Sequence, residues 1–465
     1  MIVMKFGGTS VQDADAIRNA ASIVVRETNQ GPLVVTSACA GVTNALIRMA
    51  TAASQRASAD AVAELDTLRE RHLQIAVSLL DGDSLDCVRD ELARYCDEIA
   101  QLIHCVSILQ ELTPRTLDQF AAYGELCSSL LLTHELRRLG VAAALVDARK
   151  VLVTDDEFGK ATPLFKLTKR NARVHMWPML RKGQVVVTQG FIGSTRSGVT
   201  STLGRGGSDY SAAIFGSVLD AEEIQIWTDV EGILTADPSV IAEARSIPEM
   251  TFQEAAELAY FGARVLHPST IAPAVHKNIP VRVLNSQKPD SSGTLIRQTA
   301  APADSVVKSV AYKEGITVVR VQSTDMLLAS GFLPRLFEVF ARHNKCIDII
   351  ATSLVGLSLT VQEDGALEAI VAECSEFAEV AVERNKAICC VVGEKVKYTH
   401  GIAARVFSAL DSAGINVEMI SLGGSDINLT FVINQEDVES AINALHNEFF
   451  AEMEKETPLT VCGTL

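Results

Sequence analysis

Short apolar runs alternate with helix-period segments along the first part of the chain. Residues 1–8 are apolar up to the paired glycines Gly7 and Gly8, and further runs of strand length occupy 33–37, 185–188 and 223–227. That alternation predicts an α/β domain with a largely parallel sheet. From about 55 to 140 the periodicity is helical and rich in Ala, Leu, Glu and Arg, with turn signals at Asp81-Gly82-Asp83 and Thr113-Pro114. This stretch is read as a helical insertion or cap. Between Gln287 and Pro302 the breakers Pro289, Asp290, Ser291, Ser292 and Gly293 accumulate, and the main boundary is placed there.

Beyond that boundary the chain repeats itself at an offset of 70 residues: Gly331 matches Gly401, Arg335 Arg405, Phe337 Phe407, Ile350 Ile420, Leu359 Leu429 and Thr360 Thr430, while Asp348 matches Glu418 in charge. In the first copy, 316–321, 332–344, 347–353, 357–362 and 366–377 read as strand, Gly-led helix, strand, strand and helix. Two βαββαβ-like units are implied. The expected domains are 1–297, 315–385 and 386–465, with a strand at 303–314 as a candidate contributor to the last.

Composition narrows the function classes. Lys plus Arg number 41 against 57 for Asp plus Glu, a formal charge of −16 that disfavours nucleic acid as a partner. No segment approaches the roughly 20 apolar residues of a membrane span. The ten cysteines form no CxxC pair and several lie in apolar runs, which fits a reducing, cytoplasmic setting. The N-terminus lacks the basic leader and cleavage site of a signal peptide and reads as the first strand.

Three stretches could carry chemistry. In Lys5-Phe6-Gly7-Gly8-Thr9-Ser10 a lysine closes a buried strand and paired glycines let backbone N–H groups approach an anion, although neither a dinucleotide fingerprint nor a Walker loop is present. In Gly204-Arg205-Gly206-Gly207-Ser208-Asp209-Tyr210-Ser211 three glycines precede a helical run at 212–218, and Arg205 adds a fork suited to carboxylate or phosphate. Trp227-Thr228-Asp229-Val230-Glu231-Gly232 follows a strand, where open α/β sheets bind ligands. Thr43 and Glu125 are weaker signals, since a single Glu on a helix is ordinarily a solvated charge. No His pair has metal-helix spacing and His267 precedes Pro268 in a loop, so no protein-built metal site is expected; any cation used would be a hard one held mainly by substrate phosphates.

Together these stretches resemble the aspartokinases of the amino-acid kinase family. KFGGTSV at 5–11, Ser-Ala-x-Ala-Gly-Val-Thr-Asn at 37–44, GFIGS at 190–194, TLGRGGSDYSAA at 202–213, WTDVEGILTADP at 227–238 and ELAYFGARVLHP at 257–268 appear in the family's order, and the paired tail units resemble ACT domains. The resemblance implies a mainly parallel eight-stranded sheet between helices, followed by two ACT units, in a monofunctional enzyme. It implies that Lys5 and Gly8 contact the phosphoryl group transferred from ATP, with Mg²⁺ held mainly by phosphates. Thr43, Glu125, Arg205 and Ser208 then surround L-aspartate, Arg205 at its α-carboxylate and Glu125 at its α-ammonium, while Asp209 holds Lys5 in place. Nucleotide contacts fall on Lys5, Thr228, Asp229, Leu234, Ser239 and Arg264. The last three depart from the family's usual tyrosine, arginine and lysine.

Positive charge around the migrating group suits phosphoryl transfer to a carboxylate, which is already ionised at pH 7 and needs no general base. The other classes weighed are a catalytically inactive amino-acid sensor, which the joint presence of Lys5, Arg205 and Asp209 argues against, and a glutamate, acetylglutamate or uridylate kinase, which would not be expected to carry both the insertion and the repeat. In the tail, the resemblance implies a feedback amino acid held by Met326, Phe332, Leu333, Asp348, Thr352 and Ser353, in an ACT-mediated homodimer or dimer of dimers. Because Leu328 and Leu354 stand where lysine-inhibited relatives carry polar groups, lysine sensitivity weaker than in those relatives is expected, with threonine as the leading alternative effector.

Overall fold

The computed structural model describes residues 1–262, 268–300, 305–327, 331–422 and 424–451. The strands in chain order are β1 (Ile2–Phe6), β2 (Leu33–Thr36), β3 (Ala143–Val146), β4 (Val153–Thr154), β5 (Val185–Gln189), β6 (Ile192–Thr195), β7 (Thr200–Thr202), β8 (Glu223–Thr228), β9 (Glu249–Thr251), β10 (Val281–Asn285), β11 (Thr294–Arg297), β12 (Val307–Gln322), β13 (Ile350–Thr352), β14 (Gly356–Gln362), β15 (Glu379–Gly393), β16 (Met419–Ser421) and β17 (Asn428–Asn434). The α-helices are α1 (Ala14–Arg26), α2 (Val42–Ser54), α3 (Ser58–Leu79), α4 (Gly82–Leu109), α5 (Pro114–Ala121), α6 (Tyr123–Arg138), α7 (Phe165–His175), α8 (Trp177–Leu180), α9 (Gly207–Leu219), α10 (Phe252–Tyr260), α11 (Pro268–Lys277), α12 (Phe332–Arg342), α13 (Leu367–Cys374), α14 (Ile402–Ser412) and α15 (Val438–Phe450).

Two compact units result. The first comprises Met1–Ile233, Pro248–Phe252 and Val265–Ala300. Its eight-stranded sheet runs β3-β5-β2-β1-β8-β10-β11-β9, parallel at each pairing except β10 with β11. Strand β1 is buried at every position, which is why it reads as an unbroken apolar run rather than an alternating one. The chain leaves β1 towards β2 on one side and places β8 on the other, so the carboxyl end of β1 lies at a topological switch point, where such sheets open a crevice. Lys5 stands there, opposite Val35 and Ile226.

The helical stretch divides where its turn signals lie. Gly82, with φ +51°, starts α4. Thr113 caps α5 by accepting a hydrogen bond from the Thr116 N–H at 3.2 Å, with Pro114 in the first turn.

The second unit comprises Leu234–Ile247, Gln253–Arg264 and Ala301–Leu465. Its sheet runs β13-β14-β12-β15-β17-β16. The two long strands are shared by both repeats: β12 pairs with β14 through 316–322 and with β15 along most of its length, while β15 pairs with β17 through 386–392. Residues 307–313 of β12 therefore lie against 388–393, beside the second repeat's strands. The strand read at 347–353 is shorter, β13 alone.

Segments 234–247 and 253–264 belong to this second unit although they precede the breaker-rich stretch. Ala236 and Ile241 enter its core with Val310, Ile402 and Phe431, and Lys308 of β12 and Glu254 of α10 form a buried ion pair at 2.9 Å. Breaker composition reports where the chain turns, not which distant residues pack together.

Gly393 marks the tightest point of the shared pairing. A Cβ there would lie 1.8 Å from the Val306 carbonyl oxygen, a backbone atom that cannot swing aside. Gly393→Ala is expected to destabilise the second unit by about 2 kcal/mol or more, read as a lowered midpoint in calorimetric unfolding. An unchanged midpoint would show that the β12–β15 pairing yields at that end.

Candidate active site

Lys5 projects from the carboxyl end of β1 with only 10% of its side chain exposed, and its Nζ lies 2.6 Å from Asp209 Oδ1. The contact is a close ion pair without an aligned hydrogen bond at Oδ1. Asp209 reaches it because α9 begins at Gly207, five residues ahead of the helical run read from the sequence, so Ser208 and Asp209 lie in its first turn. Gly206 supplies the N-cap with φ +70°, and Gly204 also has positive φ, at +77°. Gly190 is needed opposite: a Cβ there would stand 2.7 Å from Ser208 Cβ.

A cavity of about 410 Å³ opens at this point, and Lys5, Gly8, Thr43, Glu125, Arg205, Ser208 and Asp209 all line it. The loop 37–41 completes the wall, latched to the glycine turn by the Ser37 N–H on the Phe6 carbonyl and the Ala40 N–H on the Gly8 carbonyl, both at 3.1 Å. Gly41, with φ +81°, starts α2 and puts Thr43 in its first turn. Neither α2 nor α9 has a side-chain cap; the first N–H of each is taken by the Cys39 and Gly204 carbonyls, both at 3.0 Å, and the N–H groups of Thr43 and Ser208 come next at the cavity.

The charges are arranged unequally. Arg205 is exposed and has no ion-pair partner among the described residues. Glu125, in contrast to the solvated charge a lone helical Glu ordinarily is, is 3% exposed. Burial pushes its carboxyl up to about 8, partly offset by the Ala38 and Glu125 backbone N–H groups, and its Oε2 has no hydrogen-bond partner. The cavity thus holds a buried acceptor and an outer cationic fork.

Phe191 also lines the cavity, a residue that sequence reasoning did not single out. Its φ of +64° is unusual for a bulky side chain, and it is held by its N–H on Ser211 Oγ and by the Leu203 N–H on its carbonyl, both at 2.9 Å. The available signal was its place between Gly190 and Ile192 in GFIGS.

The expected nucleotide residues do not line this cavity, Lys5 apart. Thr228 ends β8 and donates to Asp229 Oδ1 at 3.1 Å, and the Thr228 carbonyl accepts the Ser286 N–H at 2.8 Å. Leu234 and Ser239 belong to the other unit, where the Leu234 carbonyl accepts from Ser309 Oγ and the Ser239 hydroxyl is spent on Asp237. Arg264 lies outside the described residues, as does Leu328.

Of the expected effector residues, Phe332 is buried at the start of α12, Met326 packs on the same core, and Leu333, Thr352 and Ser353 are exposed. Asp348 is nearly buried; Lys313 Nζ, at 2.8 Å, and the Tyr260 hydroxyl both donate to its Oδ1, while Oδ2 has no hydrogen-bond partner. Leu354 is 80% exposed.

The chain matches the Amino acid kinase family over residues 1–285 and an ACT domain over 389–449. It is 38% identical over 459 residues to "Lysine-sensitive aspartokinase 3" of Escherichia coli (strain K12), covering 97% of this chain and 99% of that protein. It is 35% identical over 463 residues to "Aspartokinase 1, chloroplastic" of Arabidopsis thaliana, covering 96% and 80%. The solved structure of E. coli aspartokinase III in complex with aspartate and ADP superposes with a TM-score of 0.82 at 37% identity, over 97% of this chain and 100% of that one. The same enzyme in complex with lysine and aspartate gives 0.80 at 37%, over 97% and 99%. Likeness of this depth along nearly the whole length places the chain among the aspartokinases, phosphotransferases with a carboxyl acceptor, in the amino acid kinase family.

Proposed function

We propose that the chain transfers the γ-phosphoryl group of ATP to the β-carboxylate of L-aspartate, giving 4-phospho-L-aspartate and ADP, the first step of the lysine, threonine and methionine pathway. One observation carries the reading: a single cavity gathers Lys5 with Asp209, two helix N-termini, a buried carboxyl group with one oxygen unpartnered and an exposed arginine. Arg205 takes the α-carboxylate, Glu125 the α-ammonium, and Thr43 and Ser208 flank the backbone of the substrate. The β-carboxylate then faces Lys5 and the Gly8 turn. Its oxygen bonds to the γ-phosphorus as the bond to the ADP oxygen breaks, and that electron pair leaves with ADP. No proton moves, because the acceptor is already ionised. Lys5 and the helix N–H groups stabilise the charge on the equatorial oxygens. Thr228 and Asp229 serve the nucleotide, with Leu234, Ser239 and Arg264 as the remaining positions the resemblance assigns to it.

Among the described residues no three His, Cys, Asp or Glu side chains gather to hold a metal. Magnesium, which neutralises phosphate charge when bound, would be held mainly by the phosphates of ATP, as the resemblance implies.

The second unit supplies feedback. An effector's ammonium finds the spare Oδ2 of Asp348, with Met326, Phe332, Leu333, Thr352 and Ser353 around it. Lysine and threonine are the two candidate effectors. Ile350, Leu354 and Val355 beside edge strand β13, with Ile420 and Leu422 beside edge strand β16, leave apolar surface for a second copy. That surface supports a homodimer or dimer of dimers, and cysteines without a CxxC pair fit a reducing cytoplasm. No helix among the described residues is long and apolar enough to cross a membrane.

A coupled ATP-consumption assay over a panel of amino acids tests the activity. Turnover is expected with aspartate and not glutamate, with inhibition by lysine that weakens about tenfold or more in Asp348→Ala. Equal use of glutamate would sink the substrate reading, and undiminished inhibition would sink the effector site.

Glu125 sets a pH dependence. The empty folded site keeps the proton up to about pH 8, whereas pairing with an ammonium requires the carboxylate, so aspartate binding releases a proton below that value. The aspartate KM should fall as pH rises towards 8, by up to about tenfold per unit, and Glu125→Gln should flatten the profile. Stability runs the other way: the neutral carboxyl's contribution is complete below the ordinary carboxylate range and is lost as pH rises through about 8. The wild-type melting temperature should therefore decline over that window while the Gln variant's does not. A flat wild-type KM profile would show that Glu125 does not meet the ammonium.

A further inference from the structure

Asp118 lies outside the cavity, and neither Gly159 nor Thr202, which its side chain bonds, lines it. It sits on α5, 3% exposed. Its Oδ2 accepts the Gly159 N–H at 3.0 Å and the Thr202 N–H at 2.8 Å, and its Oδ1 accepts the Thr202 hydroxyl at 2.7 Å. The Ala161 N–H closes the clasp on the Thr202 carbonyl at 2.8 Å. Two residues after Thr202 the chain reaches Gly204, whose added Cβ would stand 3.0 Å from the Gly159 carbonyl oxygen. The turn that Asp118 clasps is thus the floor under Gly204, and Arg205 is the next residue. In the other direction α5 passes through Ala122, itself in helical conformation, into α6, which carries Glu125.

No cation pairs with Asp118 among the described residues, and burial pushes its carboxyl up, with N–H and hydroxyl donors pulling it back. A buried carboxylate without a counter-charge is a costly way to join two turns. What it does supply is a three-bond link between α5, which leads into the helix bearing Glu125, and the two turns that precede and underlie the loop bearing Arg205.

We infer that Asp118 is a positioning residue that sets the span between Glu125 and Arg205 and so favours aspartate over a longer amino diacid. This rests on the reading that those two residues hold the substrate's α-substituents. Arg205 reaches outward from a glycine-rich loop, so its place depends on what the loop rests on. A displacement of the loop by a fraction of an ångström moves the carboxylate fork, whereas Lys5 is held on the buried strand β1.

The test compares Asp118→Asn, Thr202→Val and Arg205→Ala with the wild type, varying aspartate, glutamate and MgATP independently and recording the melting temperature of each protein. Asp118→Asn is expected to raise the aspartate KM about tenfold, to narrow the preference for aspartate over glutamate, and to leave the ATP KM unchanged. Thr202→Val, which removes only the hydroxyl donor, should shift the same two quantities less, and decides the matter if the Asn variant does not fold. Unchanged aspartate KM and selectivity in both variants, with Arg205→Ala raising that KM, would overturn the positioning role and leave the site reading intact. ATP and aspartate KM rising together would mark a merely structural clasp and overturn it too. If Arg205→Ala itself leaves the aspartate KM alone, the substrate reading fails and the inference with it.

Discussion

An ammonium group nine-tenths withdrawn from water must have a counter-charge close by, and the lysine at the end of the central strand has one in Asp209. Much of the catalytic unit's local design follows from that requirement. The aspartate must come from an element whose first turn reaches the strand end, which fixes where α9 starts. That start in turn demands left-handed glycines at 204 and 206 and no side chain at 190. The same helix start leaves N–H groups facing the cavity, so the device that holds the lysine also supplies part of the anion site.

Parts of this arrangement were legible in the sequence because they are local. A strand-end lysine before paired glycines, and glycines interleaved with Arg, Ser and Asp, encode backbone geometry over a few residues. The aspartokinase resemblance assigned their partners. Glu125 was harder: on a helix taken alone it reads as solvent-facing. Its burial comes from α6 being covered on all sides from Tyr123 to Leu136, and the signal was the run of small and apolar residues around it without a polar stripe. Asp118 gave no local signal and Phe191 only its place in GFIGS, since their partners are distant in sequence.

The tail shows the same limit at a larger scale. The offset of 70 residues revealed a duplication, but not that β12 and β15 are each long enough to serve both copies. Nor could it show that residues before the breaker-rich stretch pack with the repeat, because the buried Lys308–Glu254 pair and the apolar contacts of Ala236 and Ile241 are long-range. Tyr260 and Lys313 converge on Asp348 for the same reason. They donate to one carboxylate oxygen, while the other has no hydrogen-bond partner.

The claim on which the account turns is that Lys5 and Asp209 act as one unit in phosphoryl transfer, and a double-mutant cycle on kcat measures it directly. With Lys5→Ala, Asp209→Ala and the double variant, each single substitution should lower kcat by about a hundredfold or more, and the double should be little worse than Lys5→Ala alone. Losses that simply multiply would mean the two side chains work independently, and the ion pair would not be what places the lysine.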